Sequence, residues 1–186
     1  MRTNKSFYKI VGFMALAIAL FTTNLTAQDM PKMDMKMNMS KAVCVLYPTQ
    51  GNNVTGTITF TATEKGVRIV ADIHGLSQGK HGFHIHECGD CTAANGSSAG
   101  GHFNPMGKSH GSATDMMRHM GDMGNIVADA NGDAHLDYYD NVISLSGEYS
   151  IIGRSVIIHK DEDDLKTQPT GNAGARVACG VIGISK

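Results

Sequence analysis

The densest group of metal-ligating side chains in this sequence is a set of histidines between residues 84 and 159. His84 and His86 lie one residue apart in the segment GFHIHE. Alternate residues of a β-strand project from the same face, so these two imidazoles point the same way. Six histidines and one aspartate exceed what one ion needs, which indicates two neighbouring ions. Imidazole suits copper and zinc, and a His/Asp tetrahedral set suits zinc. The full set is His84, His86, His102, His110, His119, Asp122 and His159.

Eight segments have the composition of β-strands and must position these ligands. The alternation of apolar and polar residues is clear in VRIVADI and FHIHE, and Asn131-Gly132 is a strong signal for a hairpin turn. The 22 glycines and the aromatic content of 6% favour a β-fold with many turns over a helical bundle. The sequence therefore predicts an all-β, eight-stranded sandwich or barrel. The predicted strands are residues 41–48, 53–61, 66–73, 79–87, 123–130, 133–140, 154–160 and 175–184.

Two connections between the predicted strands are too long to be simple turns. They run over residues 88–121 and 160–174, and loops of this length in a compact domain are commonly functional. The first contains His102, His110 and His119. We therefore expect two long functional loops, with one strand and the first loop building most of the site and a late strand adding His159.

The N-terminus has the features of a signal peptide, predicted over residues 1–27. Three basic residues precede the apolar run Ile10–Phe21, and Ala27 offers a small residue at the cleavage point. The alternative, a membrane anchor, is disfavoured because the run is shorter than the ~18 residues that a span requires. Cleavage leaves 13 basic and 17 acidic side chains, a net charge of −4. We expect an exported protein, periplasmic or extracellular, without a membrane segment and without the basic excess typical of nucleic-acid binding.

Residues 28–40 form a methionine-rich segment that we interpret as a disordered tether before the domain at residues 41–186. Two interpretations of this segment stay open. In the first, it is a low-complexity linker. In the second, its thioethers bind Cu(I), for which soft sulfur ligands are suited, and the segment acts as a copper donor. The methionines concerned are Met30, Met33, Met35, Met37 and Met39.

The motifs of the domain together resemble the copper/zinc superoxide dismutases, of the dimeric eukaryote-like type also found in bacteria. The resemblance covers residues 41–186 and implies an antiparallel Greek-key β-barrel. It also implies dismutation of superoxide to dioxygen and hydrogen peroxide by copper cycling between Cu(II) and Cu(I), with a structural zinc. The motifs are HGFHIHE, SAGGHFNP, KSHG, RHMGDMGN, VISLSG, IIGRSVIIHKDEDDL and TGNAGARVACGVIGI.

The resemblance also divides the ligands between the two metals. His102 belongs to both sets and would bridge the ions as an imidazolate, an anion that two divalent cations stabilise. The copper ligands implied are His84, His86, His102 and His159. The zinc ligands implied are His102, His110, His119 and Asp122.

Other residues match supporting positions of the family. Arg176 would draw in and orient the anion, because a guanidinium stays charged and donates in a fixed fork. Asp163 would link a copper histidine to a zinc histidine, and Thr170 would narrow the channel mouth. The loop segment KTQPT is shorter than in the animal enzymes and lacks their acidic pair and lysine. Local cations, Lys160 and Lys166 beside Arg176, must therefore steer superoxide toward an acidic protein.

The four cysteines allow three pairings if all are used, and export makes a disulfide reasonable. The resemblance implies a bond between Cys91 and Cys179, with Cys88 as a competitor for Cys179. Cys88 falls near the family's dimer contact, where it is alternatively a free thiol. Cys44 lies in a strand and is interpreted as a small buried hydrophobe.

Quaternary structure and the competing function classes complete the expectations. Gly89, Ile152 and Ile184 resemble the apolar patch through which the family forms homodimers. The alternative to an enzyme is a non-catalytic exported protein that binds and delivers copper. The intact ligand set and Arg176 favour the enzyme. His81 resembles a structural histidine of the family.

Overall fold

The structure is a computed structural model that describes residues 39–186. The predicted signal peptide lies outside the described residues, as does the methionine-rich segment up to residue 38. No helix within residues 39–186 is long and apolar enough to cross a bilayer. The elements in chain order are β1 (Lys41–Pro48), β2 (Thr55–Thr63), β3 (Gly66–His74), β4 (Gly79–His86), a 3-10 helix (Ser97–Ala99), β5 (Asp122–Ala128), β6 (Ala134–Asp140), β7 (Ser155–His159) and β8 (Arg176–Ile184).

The eight strands close into an antiparallel barrel with the order β1-β2-β3-β6-β5-β4-β7-β8. β3 pairs with β6, and β4 pairs with β7, so the chain crosses the barrel ends instead of forming hairpins throughout. This arrangement confirms the predicted all-β, eight-stranded Greek-key barrel. β2 begins two residues later than predicted, because its ladder with β3 runs from Thr55 opposite His74 to Thr63 opposite Gly66.

Burial along the strands shows where the site sits. β3 alternates between buried and exposed residues, as expected of a strand with one face in the core. In β4 the last six residues are all buried. Phe83 and Ile85 pack in the barrel core, so His84 and His86 occupy the opposite face. That face is buried because the long connections after β4 and β7 cover it.

The join between β5 and β6 is the weakest part of the ladder. Among the described residues these two strands pair only through Ala128 and Ala134. The turn between them is held by Asp129, whose carboxylate accepts hydrogen bonds from the N–H groups of Asn131 and Asp133. The two strands therefore diverge toward their far ends, where side chains replace backbone pairing. A third long connection, residues 141–154, was not predicted to be a distinct loop.

Candidate metal centre

Three parts of the fold bring the histidines together. His84 and His86 lie on β4, and His159 ends β7, the strand that pairs with β4. The β4–β5 ladder shifts register between Gly82 and His84, and the β7–β8 ladder shifts register between Ile158 and His159. Such irregularities re-aim side chains beside functional sites. His102 comes from the long loop and forms an isolated bridge with His86.

Four imidazoles form a first set, here called the four-histidine set: His84, His86, His102 and His159. One nitrogen of each ring is buried without a hydrogen-bond partner among the described residues. These atoms are His84 Nδ1, His86 Nε2, His102 Nε2 and His159 Nε2. One ring nitrogen of each of the four residues lies within 4.8 Å of the others. Buried polar atoms in native proteins nearly always have partners. Four unpartnered nitrogens in one buried cluster therefore fit a metal ion as their common partner.

The other nitrogen of each of these rings is anchored. Nε2 of His84 lies 2.8 Å from Asp163 Oδ2, and Nδ1 of His102 lies 2.8 Å from Asp122 Oδ1. Nδ1 of His86 donates to a carbonyl at 3.0 Å, and Nδ1 of His159 donates to another at 3.2 Å. A hydrogen bond at one nitrogen fixes the ring orientation and the tautomer, and it leaves the second nitrogen free to bind metal.

The second set, here called the His/Asp set, contains His102, His110, His119 and Asp122. Asp122 Oδ1 lies 2.8, 3.0 and 3.2 Å from the Nδ1 atoms of His102, His110 and His119. The Nδ1 atoms of His102 and His119 are 3.4 Å apart. Three nitrogens and one carboxylate oxygen converging in this way match the tetrahedral preference of zinc. His102 offers Nε2 to one set and Nδ1 to the other.

Burial sets the protonation of three members of the four-histidine set in the metal-free protein. It lowers the pKa of His102 to about 4 and that of His159 to about 3, with neighbouring histidines adding to the effect on His159. It also lowers the pKa of His86 well below its ordinary value. These imidazoles are therefore neutral near pH 7, the form that binds metal.

The second set is electrostatically different. Burial opposes the protonation of His110, but its contacts with the carboxylates of Asp122 and Asp163 outweigh it and raise its pKa to about 9. Burial alone would raise the pKa of Asp122, yet its contacts with three histidines hold it far below its usual range. In the metal-free protein a protonated His110 thus lies beside the ionised Asp122, and a divalent ion that binds here would replace the His110 proton.

Asp163 connects the two sets. Its two carboxylate oxygens lie 2.8 Å from His84 Nε2 and 2.9 Å from His110 Nε2. The Asn125 side chain holds Asp163 in turn: its Oδ1 accepts from the Asp163 N–H at 2.8 Å, and its Nδ2 donates to the Asp163 carbonyl at 2.9 Å. Gly171 packs so closely that an added Cβ would overlap the Asp163 carboxylate. Hence a change at Asp163 reaches one histidine of each set.

Arg176 lies at the start of β8, where it is half-buried. Its two terminal nitrogens donate to the carbonyls of Gly96 and Gly100, each at 2.6 Å. Burial lowers its pKa, but a guanidinium stays charged in proteins. Because the Gly100 carbonyl also accepts from His86 Nδ1, the arginine is fixed one residue away from the four-histidine set. Thr170 is half-buried next to Gly171.

The remaining histidines lie outside both sets. His81 is buried, with its ring nitrogens 3.0 Å from the His159 carbonyl and 2.9 Å from the Ser77 carbonyl. His74 and His135 are exposed and pair with Asp133 and Asp72 at 2.7 and 2.6 Å.

The cysteines follow the implied pairing. Cys91 and Cys179 form a disulfide that ties the long loop to β8. Cys88 is exposed and free, so its competition for Cys179 does not occur here. Cys44 is buried, and burial raises the pKa of its thiol to about 12, which agrees with its interpretation as a small hydrophobe.

The sequence interpretation missed Arg118, which is only 2% exposed. One of its nitrogens donates to the carbonyls of His119, Met120 and Asp122 at 3.0–3.1 Å. Another pairs with Asp140, whose carboxylate also accepts from two backbone N–H groups of the next loop. Arg118 therefore holds the segment that carries two members of the His/Asp set. Its only sequence signal was its position inside the motif RHMGDMGN.

Comparisons with known proteins agree with this geometry. Residues 54–182 match the family model of copper/zinc superoxide dismutase. The chain is 50% identical over 154 residues to an extracellular Cu-Zn superoxide dismutase of Brugia pahangi, covering 77% of this chain and 76% of the relative. It is 47% identical to a Cu-Zn superoxide dismutase of Onchocerca volvulus, covering 78% and 96% of the two chains. The crystal structure of the clock protein EA4 superposes with a TM-score of 0.72 at 47% identity, covering 78% of this chain and 95% of that one. The chain belongs to the copper/zinc superoxide dismutase family.

Proposed function

We propose that the chain converts two superoxide anions and two protons into dioxygen and hydrogen peroxide, with copper in the four-histidine set and zinc in the His/Asp set. The observation that carries the proposal is His102, which offers one nitrogen to each set. Family membership supports the same activity. A protein that only binds and delivers copper would need neither the shared imidazole nor the nearby fixed arginine, so this alternative is not favoured.

The two sets suit different metals. When bound, copper supplies the one-electron redox chemistry, whereas zinc has no redox chemistry and serves structure. The all-imidazole set offers four imidazole nitrogens, while the set with a carboxylate matches the common zinc ligands. This assignment gives each of the seven ligands a role.

The chain's own residues then bind the substrate and hold a proton. Arg176 attracts the superoxide anion and orients it through its fixed guanidinium fork. With Nδ1 bound to zinc, His102 Nε2, which is buried and unpartnered, would carry a proton whenever copper is not bound to it and could deliver that proton to the reduced product. Thr170 borders the approach and excludes larger anions.

Substrate steering falls to few cations in this acidic chain. Lys80 Nζ forms an ion pair with Glu162 Oε1 at 2.7 Å, whereas Lys160 and Lys166 make no ion pair within residues 39–186. We therefore assign local steering to Lys160, Lys166 and Arg176. Its signature is a rate that falls as ionic strength rises, because exposed charges are screened beyond about 10 Å at 0.1 M salt.

Assembly and location belong to the same proposal. Val45, Val181 and Ile184 are exposed apolar side chains on the neighbouring strands β1 and β8, and they support a homodimer at this face with Gly89 and Ile152 at its border. The disulfide and the extracellular relative support export, to the periplasm or outside the cell. The methionine-rich segment is proposed as a Cu(I) donor on its thioether chemistry alone.

The test is superoxide decay catalysed by residues 28–186 loaded with copper and zinc. We expect rapid decay that is lost in His86→Ala, which removes a ligand, and retained in His74→Ala, which changes an exposed histidine. Tight binding of both metals without decay above the His86→Ala level would refute the enzyme and leave a copper-binding protein.

A further inference from the structure

The shortened loop after β7 contacts the backbone of a histidine in the His/Asp set through one side chain, Gln168. Its Oε1 accepts a hydrogen bond from the His110 N–H at 2.8 Å, and its Nε2 donates to the His110 carbonyl at 2.9 Å. The same Nε2 also donates to the Lys166 carbonyl at 3.1 Å. One carboxamide thus satisfies both backbone groups of His110.

His110 depends on this contact for its backbone hydrogen bonds. Within residues 39–186, neither its N–H nor its carbonyl has another hydrogen-bond partner. Its side chain is buried, although much of Gln168 is exposed. Without the carboxamide, the backbone at His110 would have to turn toward water to satisfy these groups. Such a turn would also rotate the ring.

The loop that presents Gln168 is stabilised by hydrogen bonds between its own residues. The Asp164 carboxylate accepts hydrogen bonds from the N–H groups of Lys166 and Thr167, from the Thr167 hydroxyl and from Asn172 Nδ2. The Gly171 N–H also donates to the Thr167 carbonyl at 2.7 Å. These bonds close residues 164–172 into a compact turn, so Gln168 projects from a fixed support.

The same loop also holds the ring of His110. Asp163 Oδ1 lies 2.9 Å from His110 Nε2. The Asn125 side chain holds the Asp163 backbone through two hydrogen bonds, one to the N–H and one to the carbonyl, as Gln168 does for His110. His110 is therefore fixed at its ring and at its backbone by adjacent parts of one loop. With both points fixed, Nδ1 can face only the His/Asp set.

We infer that Gln168 is a positioning residue for the zinc site. Its carboxamide holds the backbone of His110 from the shortened loop and so directs the imidazole toward the His/Asp set. This inference rests on the proposed assignment of zinc to the His/Asp set. Loss of an outer partner of a metal ligand typically weakens metal binding by about 10–100-fold. Because Gln168 is exposed, we expect the lower end of that range. No hydrogen bond joins Gln168 to Arg176 or to the four-histidine set, so copper binding should be unaffected.

The test uses zinc titrations of the metal-free 28–186 chain in competition with a chromophoric chelator. Gln168→Leu should weaken zinc binding roughly tenfold, and it should change the visible bands of cobalt(II) placed in the same set. Gln168→Glu keeps an acceptor for the His110 N–H and should lose less affinity. Gln78→Leu, which alters an exposed glutamine whose side chain makes no hydrogen bond within the described residues, is the matched control.

Two results would be decisive in different ways. If wild-type protein binds zinc with an affinity that His110→Ala reduces, while Gln168→Leu and Gln78→Leu both match wild type, the inference about Gln168 is wrong. If His110→Ala leaves zinc binding unchanged, zinc does not occupy the His/Asp set, and the proposed assignment fails together with the inference. The visible absorption of bound copper, equal in all Gln168 variants, verifies that the rest of the centre is intact.

Discussion

Removing the Arg118 guanidinium should destabilise the metal-free protein more than any surface change. Arg118→Met keeps a long apolar side chain but deletes every hydrogen bond that the guanidinium makes. The carbonyls of His119, Met120 and Asp122 lose their donor, and Asp140 keeps a buried carboxylate without its cation. The last of these losses dominates, because an unpaired buried charge costs more than an unpaired carbonyl.

The magnitude follows from burial. Both side chains of the Arg118–Asp140 pair are at most 2% exposed, so solvent screens little of the interaction. Removing one partner of such a pair typically costs about 3–5 kcal/mol. Two backbone N–H groups still bond to Asp140 and stabilise part of its charge, which favours the lower half of that range. A domain of ordinary stability, about 5–15 kcal/mol, would lose a large fraction of its free energy of unfolding.

Urea unfolding of the metal-free, disulfide-bonded protein measures this loss. The midpoint should fall at an unchanged denaturant slope, since the variant alters stability and not the surface exposed on unfolding. Arg118→Met combined with Asp140→Leu should recover part of the loss, because the second change removes the uncompensated carboxylate. A decrease below about 1 kcal/mol for Arg118→Met, the value typical of an exposed ion pair, would refute the argument.

Three further predictions concern the metal sets. His102→Ala removes a ligand from both sets, so superoxide decay should fall to the uncatalysed rate, and titrations should show weaker binding of both metals. Gly171→Ala would push the Asp163 carboxylate away from His110, so chelator competition should show zinc binding weakened by roughly 10–100-fold. In the metal-free protein, the pKa values of about 4 for His102 and about 3 for His159 lie below the unfolded value near 6.5. The unfolded chain therefore binds more protons below pH 6.5, and the thermal midpoint should fall as the pH decreases from 6.5 toward 3. The pKa of about 9 for His110 acts oppositely, so the midpoint should also fall from pH 6.5 toward 9.

Each of these predictions has a control or a contrary outcome. His74→Ala is the control for His102→Ala, because His74 is exposed and lies outside both sets. Gly147→Ala is the control for Gly171→Ala: both glycines have positive φ angles, 78° and 69°, but a Cβ at Gly147 would meet nothing within 4 Å. A thermal midpoint that stays level between pH 6.5 and 4 would contradict the low pKa values of the buried histidines.

The same two-residue alternation predicted both the strands and the first two ligands. Alternation with a period of two places His84 and His86 on one face, and it also marks β3 and β4 as strands. The resemblance supplied the rest of the ligand set and the disulfide, which joins residues 88 positions apart. Nothing local in the sequence indicates a pairing over that distance.

The residues that sequence patterns did not identify act through hydrogen bonds to distant parts of the chain, and such bonds leave no periodic pattern in the sequence. Asn125 and Gln168 bond to backbone groups 38 and 58 residues away, and an isolated amide residue carries no sign of such a partner. Arg118 was missed because arginine is almost never fully buried unless it is paired, and its partner Asp140 lies 22 residues further along the chain. Local patterns thus report which face a side chain takes, whereas the clamps around a ligand emerge only from the closed barrel.

The divergence of β5 from β6 makes the barrel wall unequal around its circumference. Beyond their single backbone pair, the strands are joined by the Tyr138 hydroxyl, which donates to Met123 Sδ at 2.8 Å, and by Arg118, which bonds to Asp122 and Asp140. A seam made of side chains opens without breaking a row of backbone hydrogen bonds, so amide protons along it should exchange with solvent sooner than those of the continuous β2–β3 ladder. Asp122 stands on this seam. We expect zinc bound in the proposed site to hold Asp122 against its histidines and so to strengthen this seam, and amide exchange along the seam should slow as zinc is loaded.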